Sequence, residues 1–463
     1  VRSIGEAIGL RDAATDLRTR SQEIVPSVHR SNAQFMRANR NSTFASWNPA
    51  LRDPQHDVEA AWDQASARAI DSMHNTGWIA GAIEQSTADV VGNGLQLNAK
   101  PDPDALGLDV KRAAEWAKLA EKRFAMWANR PYDCDVEGRS TFGQMQAKQY
   151  RSWFPFGEIV AELPWRERAG SMYGTKIRLV SPHRLSRKTE LMSKMVQGVR
   201  MDDDTMPVGY LFDVPDQFRG TRQVELPARD NLGRPKIVHV FDGAIGTVRG
   251  ITPMVPVLQV AKQYDQLANA TLMKQIMASL FVFSIESDRP TDEVLDSLLT
   301  VEERAKATAE GLTPYDAWFA SQAGWYDGKQ IDVGIPGRIA TPYPGEKLEV
   351  VSPDAPSSDY QAYARDLLRE SSRCIGTTYE GMTGDYAGVT FSSIRFAVDN
   401  NWRIVVYRRK NIVAPFCQAG YEAWLEEEID RGGPLAIQGG IKRFLENRTG
   451  ICNAEWKGTP KPT

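Results

Sequence analysis

Apolar residues recur at helical spacing from Asp57 to Val91, where Val58, Ala61, Ala65, Ala69 and Met73 share one predicted face. Asn75-Thr-Gly77 interrupts the pattern, and Ile79, Ile83 and Thr87 resume it. Gly92-Asn-Gly94 ends the unit in a turn, and Leu95-Gln-Leu97-Asn alternates like a strand. That turn lacks the third glycine and the preceding strand of a phosphate-cradling loop. Residues 110–129 predict another helix, carrying Trp116, Leu119, Phe124 and Trp127. Residues 156–164, 176–180, 199–212, 223–226 and 235–241 read as short strands between turn residues. Residues 57 to 250 are therefore expected to be an α+β region.

A different pattern follows. Thr252 is a good N-cap and Pro253 suits a first helical position, so a helix is predicted from there to about Met277. Gln259, Lys262, Gln263, Asp265, Gln266, Asn269, Lys274 and Gln275 leave it only a narrow apolar stripe. Such a helix packs against copies of itself or lines water. Residues 278–353 are mixed, with strand-like Phe281-Val-Phe-Ser-Ile and turns at Gly324, Gly328, Gly334, Gly337 and Gly345. A second helix is predicted over 358–375, with Ser358 and Gln361 spaced as a capping box. Tyr360, Tyr363, Ala364, Leu367 and Ser371 fall on one side and Arg365, Arg369 and Arg373 opposite. That basic stripe is either a solvated face with Asp366 and Glu370 as partners, or a contact to acids on another subunit or to phosphates. Residues 381–391 form a loop punctuated by Gly381, Gly384 and Gly388, and a helix over 392–413 carries Ile394, Val398, Trp402 and Val405 on one face. Arg408-Arg-Lys410 suits the negative end of that helix. Pro415 bends or restarts the chain, and Phe416, Gly420, Tyr421, Trp424 and Leu425 continue an amphipathic helix to about Ile429.

Composition narrows the partners. The 463 residues are 42% hydrophobic and 25% charged, with a net charge of −3, so no bulk charge is available to grip nucleic acid. From His29 to Arg52 there are four arginines and no acid, which reads as an extended basic arm, either solvated or wrapped on a neighbour. No apolar window is long enough to span a membrane, and no signal-peptide pattern opens the chain. Cys134, Cys374, Cys417 and Cys452 are widely spaced, as expected of free thiols. The Val1 start and the Pro-rich end suggest the ordered part of a longer protein.

Chemistry-bearing motifs are lacking: there is no GxxxxGK[ST], HExxH, GxSxG or metal-spaced Cys/His set. His29, His56, His74, His183 and His239 stand alone, and Asp202-Asp-Asp204 resembles a turn. No enzyme activity, catalytic residue, metal or cofactor is expected.

Four stretches, in order, carry a resemblance. They are Asn75-Thr-Gly-Trp-Ile-Ala-Gly-Ala-Ile with Asp89-Val-Val-Gly-Asn-Gly-Leu-Gln-Leu, and Cys134-Asp-Val-Glu-Gly-Arg-Ser-Thr-Phe with Phe156-Gly-Glu-Ile-Val-Ala-Glu. Then come Ile237-Val-His-Val-Phe with Arg249-Gly-Ile-Thr-Pro-Met-Val-Pro-Val-Leu, and Gly337-Arg-Ile-Ala-Thr-Pro-Tyr-Pro-Gly-Glu-Lys-Leu before Tyr379-Glu-Gly-Met-Thr-Gly-Asp-Tyr-Ala-Gly-Val-Thr-Phe. In these the chain resembles the lambda-type bacteriophage portal family.

The resemblance implies an α+β portal fold that assembles as a dodecameric ring. Carried over, residues 1–56 are the arm, 57–250 the first part of the wing, and 251–277 the first stem helix, with Lys262, Gln266 and Lys274. Residues 278–353 are the clip and 354–376 the second stem helix, with Arg365, Arg369 and Arg373 towards the channel or the next subunit. Residues 377–391 are the tunnel-loop region, with Gly381, Gly384, Asp385, Tyr386, Gly388, Val389 and Thr390. Residues 392–463 return to the wing and begin the crown. The implied partners are further copies of the chain, double-stranded DNA read without sequence preference, the terminase large subunit, the head–tail adaptor, and the major capsid and scaffold proteins, with no membrane. The implied place is a capsid vertex of the virion, assembled in host cytoplasm. The rival readings are a non-enzymatic scaffold or adaptor and a packaging-associated metal-dependent nuclease.

Overall fold

The computed structural model describes residues 50–216, 220–279, 283–287, 301–311, 346–350 and 358–461, with isolated positions between 313 and 324. The glycine turns from Gly328 to Gly345 and nearly all of the basic arm lie outside these residues, as does the Ser358 side chain on which the expected capping box depends. The unit that begins at Pro54 opens with two helices, α1 (Pro54–Asn75) and α2 (Gly77–Val90), separated at Thr76 as the sequence pattern requires. The phase of α1 differs from expectation at one position. Val58, Trp62, Ala65 and Ala69 are buried, whereas Ala61 is exposed, because the Trp62 ring stacks on Phe156 with centroids 5.6 Å apart. The helix also takes in the last three residues assigned to the arm, Pro54 to His56.

After β1 (Gln96–Ala99), helix α3 (Val110–Ala128) buries Trp116, Phe124 and Trp127. Helix α4 (Phe142–Phe156) has no counterpart in the sequence reading. It opens on a reciprocal cap, with Gln144 N–H donating to Thr141 Oγ1 (3.3 Å) and Thr141 N–H to Gln144 Oε1 (2.9 Å). Its buried face carries Gln146 and Gln149, whose amides serve the backbone of Leu95 and Val160.

Strands β2 (Glu158–Glu162), β3 (Arg178–Val180) and β8 (Ile237–Phe241) form an antiparallel sheet in the order β3-β2-β8, with Val160 opposite both Val180 and His239. Between β3 and β8 lies a meander of β4 (Met195–Val196), β5 (Val199–Met201), β6 (Pro207–Asp216) and β7 (Gly220–Pro227). It packs its own small core of Leu185, Val199, Tyr210 and Phe212 onto Val160. Asp202 makes a turn, accepting from the amides of Asp204 and Met206.

Apart from turns and helices of three or four residues, the remaining elements are α5 (Val255–Ser279), β9 (Phe283–Ser287), α6 (Val301–Glu310), β10 (Glu346–Val350), α7 (Ser358–Ile375), α8 (Tyr379–Thr383), α9 (Phe391–Arg408), α10 (Ala414–Asp430), α11 (Gly440–Glu446) and β11 (Ala454–Lys457). A single π turn, Arg409–Val413, joins α9 to α10, and Pro415 restarts the helix in its first turn. The main core gathers on Phe124, whose ring lies 5.3–5.9 Å from Trp127, Phe142, Tyr421, Trp424 and Trp456. Helix α10 also buries Glu426, Glu427 and Glu428. Each has a partner: Arg448 at 2.7 Å, the amides of Gly174 and Thr175, and Arg123 at 2.5 Å. Unpaired, such charges would cost several kcal/mol each, on the order of the penalty for burying any ion. The four cysteines are free.

Candidate functional site

Two long helices stand side by side and are rooted at one end only. In α5 the first turns bury Val257, Val260 and Ala261, after which Lys262, Gln266 and Lys274 are exposed. Leu272, Met273 and Ile276 are exposed too, at 54%, 58% and 44%. Helix α7 packs along it through Ala364, Leu367, Leu368, Ser371 and Ile375, while Arg365, Arg369 and Arg373 face outward. Tyr363, expected on the packed side, is exposed, because the buried stripe runs through Leu368 and Ser372 instead. At the far ends β9 and β10 pair antiparallel, Phe283 opposite Val350 and Ser287 opposite Glu346, so the intervening segment leaves and returns at one place. The segments expected as stem and clip thus share one topology, a helical hairpin with an insertion at its tip.

Parts of three of the resembling stretches meet at the root of this hairpin. Trp78 Nε1 donates to Tyr264 OH (2.9 Å) and Thr76 Oγ1 to Asp265 Oδ2 (3.4 Å), tying the α1–α2 corner to α5. Thr252 Oγ1 accepts from Met254 N–H (3.1 Å) and donates to the Phe154 carbonyl (2.6 Å). The helix itself begins at Val255, because Thr252–Val255 closes a turn first. Beneath it the backbones of Gly157 and Gly250 touch: a Cβ on Gly157 (φ +75°) would fall 2.0 Å from the Ile251 carbonyl oxygen, and one on Gly250 2.3 Å from that of Gly157. Next to this crossing, fully buried Glu158 receives Arg249 Nε at 2.9 Å, His239 Nε2 at 3.0 Å and Gly250 N–H at 3.1 Å. Arg249 also donates to the carbonyls of Pro182 and Gln197, each at 3.2 Å, so one guanidinium joins the meander, the sheet and the helix root. Burial pushes the Glu158 carboxyl up, but the Arg249 charge and the bond and charge of His239 outweigh it and hold the group below its ordinary range.

Beside the second helix lies the glycine-bearing loop. Gly381 belongs to α8, where its N–H donates to the N-cap Thr378, so the loop proper is 384–390. Gly384 ends α8 at φ +68° and Gly388 sits at φ +73°, both in the left-handed region that glycine enters at least cost. Asp385 Oδ1 accepts from Ala387 N–H (3.0 Å), Tyr386 and Gly388 are exposed, and Val389 is half-buried. Thr390 caps α9 through Ser393. A cavity of about 140 Å³ separates the loop from the core, bounded by Asp89, Tyr386, Val398 and Trp402 among others.

Two arginines hold the far end of α9, though not by capping α9 as the sequence suggests. The π turn carries the chain on into α10, so the carbonyls at the end of α9 do not need them. Buried Arg408 reaches instead to the Ile375 carbonyl at the end of α7, and Arg409 to those of Val90 (2.8 Å) and Asp89 (2.6 Å) at the end of α2. Arg369 lies 3.4 Å from Asp366 and over the Tyr379 ring at 5.5 Å, while the intrahelical reading of the stripe has no such pair for Glu370.

Among the described residues no group of three or more histidines, cysteines, aspartates or glutamates could hold a metal ion, and no helix is long and apolar enough to cross a membrane. What this geometry offers is a helical pair rooted at one end and, beside it, a loop with two glycines at positive φ. The sequence profile of phage portal protein, lambda family, matches residues 40–409. The chain belongs to that family. Among its lambda-family relatives it is 26% identical to portal protein B of Escherichia phage lambda over 425 residues, covering 89% of this chain and 78% of the relative. It is 24% identical to the portal protein of Escherichia phage N15 over 420 residues, with the same coverage of both. Solved chains overlay it less closely. One from the virion of a native gene transfer agent particle gives a TM-score of 0.45 at 10% identity, covering 79% of this chain and 82% of that one. An HK97-family phage portal protein from Corynebacterium diphtheriae gives 0.35 at 9%, covering 77% and 88%. Overlays at this level add nothing to the family assignment.

Proposed function

We propose that this portal protein is one subunit of a dodecameric ring at a single capsid vertex, a non-enzymatic channel for packaging and ejecting double-stranded DNA. The observation that carries the reading is the α5–α7 hairpin. It is rooted at one end, exposes Leu272, Met273 and Ile276 among polar neighbours, and is arginine-striped on the other helix. Apolar side chains of this kind gain roughly 1.5–3 kcal/mol each when fully covered, and further copies of the same hairpin would cover them. A ring of hairpins leaves an inner wall wet, which suits Lys262, Gln266 and Lys274. In this reading the loop 384–390, with Gly384, Asp385, Tyr386, Gly388, Val389 and Thr390, touches DNA by phosphate and shape without reading bases. The insertion beyond β9 and β10 is the clip, which docks the terminase large subunit during packaging and the head–tail adaptor afterwards. The major capsid and scaffold proteins would surround the wing in the assembled virion.

Native mass spectrometry and electron micrographs of the purified protein test the proposal. Annular particles of uniform subunit number are expected. A particle that stays monomeric or dimeric under every assembly condition would replace the ring with an adaptor, and metal-dependent DNA cleavage would replace it with a nuclease.

A further inference from the structure

Helix α9 carries the loop 384–390 at its start, yet only Val405 and Arg408 of its residues are buried. The anchorage of the helix is therefore concentrated in its last turn. Arg408 is the polar part of that anchor. Its Nη1 donates to the Ile375 carbonyl, the last of α7, and lies 3.3 Å from Ser86 Oγ and 3.2 Å from Tyr150 OH, which bond each other at 2.8 Å. The guanidinium plane sits over Trp153 at 5.1 Å and Phe154 at 5.6 Å. Gly376 (φ +82°) makes room for it, since a Cβ there would come within 2.7 Å of Nη1.

We infer that Arg408 is a positioning residue that couples the loop 384–390 to the second long helix, so that the two move as one body. Three features of the contact favour this over simple packing. Its carbonyl acceptor is the terminal one of α7, at the negative end of that helix dipole, where a buried cation is held most strongly. Its remaining partners are two hydroxyls and two aromatic faces drawn from α2 and α4, which fit a planar fork and not a lysine ammonium. The π turn that follows sets Arg409 on α2 while Arg408 reaches α7, so adjacent residues grip two different helix ends. Any displacement of α9 must then either carry Ile375 with it or break a buried charge-assisted bond. That this loop meets DNA rests on the proposed function; the coupling itself does not.

The test uses nitroxide labels at Ala387→Cys in the loop and Gln361→Cys on α7, both at exposed positions, with Cys374→Ser in every sample. Pulsed electron resonance on full-length chains, with labelled chains diluted among unlabelled ones, reads the loop-to-helix distance within one chain. Wild type is expected to give a single narrow peak. Arg408→Met is expected to shift and broaden it, and Arg408→Lys to restore the mean distance but not the width, because it keeps the charge and loses the stacking plane. If Arg408→Met lowers the melting temperature yet leaves the peak in place and equally narrow, the residue only stabilises the fold and the inference is overturned. Should Arg408→Met fail to fold, the Ser86→Ala/Tyr150→Phe pair removes the two hydroxyls and keeps the stack. A broadened peak there supports the coupling, and an unchanged one refutes it. Absence of rings in micrographs would defeat the proposed function and leave this measurement standing.

Discussion

Replacing Glu158 with glutamine tests whether the root of the helical pair depends on one buried charge. The substitution keeps the size of the side chain and one carbonyl acceptor, but it turns a donor towards Arg249 or His239 and leaves the buried guanidinium without its counter-charge. Breaking a buried pair from one side costs about 3–5 kcal/mol. For a unit that runs from Pro54 to Thr463, an unfolding entropy of about 2.1 cal/mol/K per residue means that each kcal/mol moves the melting temperature by roughly 1–2 °C, so a drop on the order of 5 °C is expected. The assay is thermal unfolding of the subunit at fixed protein concentration, since assembly would shift the midpoint by mass action. Because the Glu158 carboxyl is held below its ordinary value, its stabilisation is complete above the unfolded carboxylate range and is lost as pH falls through the lower folded value. The difference between wild type and Glu158→Gln should therefore shrink as the pH falls through the acid range. The double variant Glu158→Gln/Arg249→Met should recover part of the loss, because neither charge is then stranded. A single-variant drop of about 1 kcal/mol or less, the range of surface ion pairs, would refute the argument.

Four further outcomes are expected. Gly157→Ala should abolish soluble expression, because its Cβ would overlap the Ile251 carbonyl at a positive φ, and ordinary yield and melting would contradict the crossing described. Arg365→Glu/Arg369→Glu/Arg373→Glu should leave subunit melting within about 1 kcal/mol of wild type, since all three are exposed. It should impair ring formation or DNA packaging, and normal packaging would make the stripe a solvated face. Gly388→Pro should destabilise the loop, because proline fixes φ near −65° where +73° is found, and reduced packaging with intact rings is the result to look for. Native thiol titration should find Cys417 and Cys452 inert until unfolding, as burial pushes both thiols well above their ordinary range.

Much of the helical layout is legible in the apolar spacing, including the break at Thr76 and the long polar helix. Helix α4 escapes it because Gln146 and Gln149 occupy the buried face, where they satisfy backbone groups of Leu95 and Val160. Their polarity hides the period that Met145, Tyr150, Trp153 and Phe154 would otherwise display. Glu426-Glu-Glu428 misleads in the opposite way, since a run of three acids suggests water and only tertiary contacts supply Arg123, Arg448 and two amides. Of the candidate site, the glycine positions and the basic stripe were readable as residues. The convergence of Glu158, Arg249 and His239 was not, because their meeting depends on strand register across a long connection. Arg408 and Arg409 were noticed for their charge and assigned to the wrong helix end, as nothing in the local sequence announces the π turn.

Strand β1 finds its partner only in β11, where Asn98 meets Glu455 across a separation of 357 residues. On a ribosome adding about 5–20 residues each second, that edge waits roughly 20–70 s for its mate. During the interval the entire hairpin and its tip are already made, and Phe124 lacks Tyr421, Trp424 and Trp456 around it. A nascent chain truncated anywhere before the final turn thus exposes both an open strand edge and a half-empty aromatic nest. Sticky projecting helices would then be present before the base that orients them is closed. On the proposed ring assembly, copies would then associate through their hairpins before either has finished folding, and slowing initiation or supplying a holdase should raise the yield of properly closed subunits.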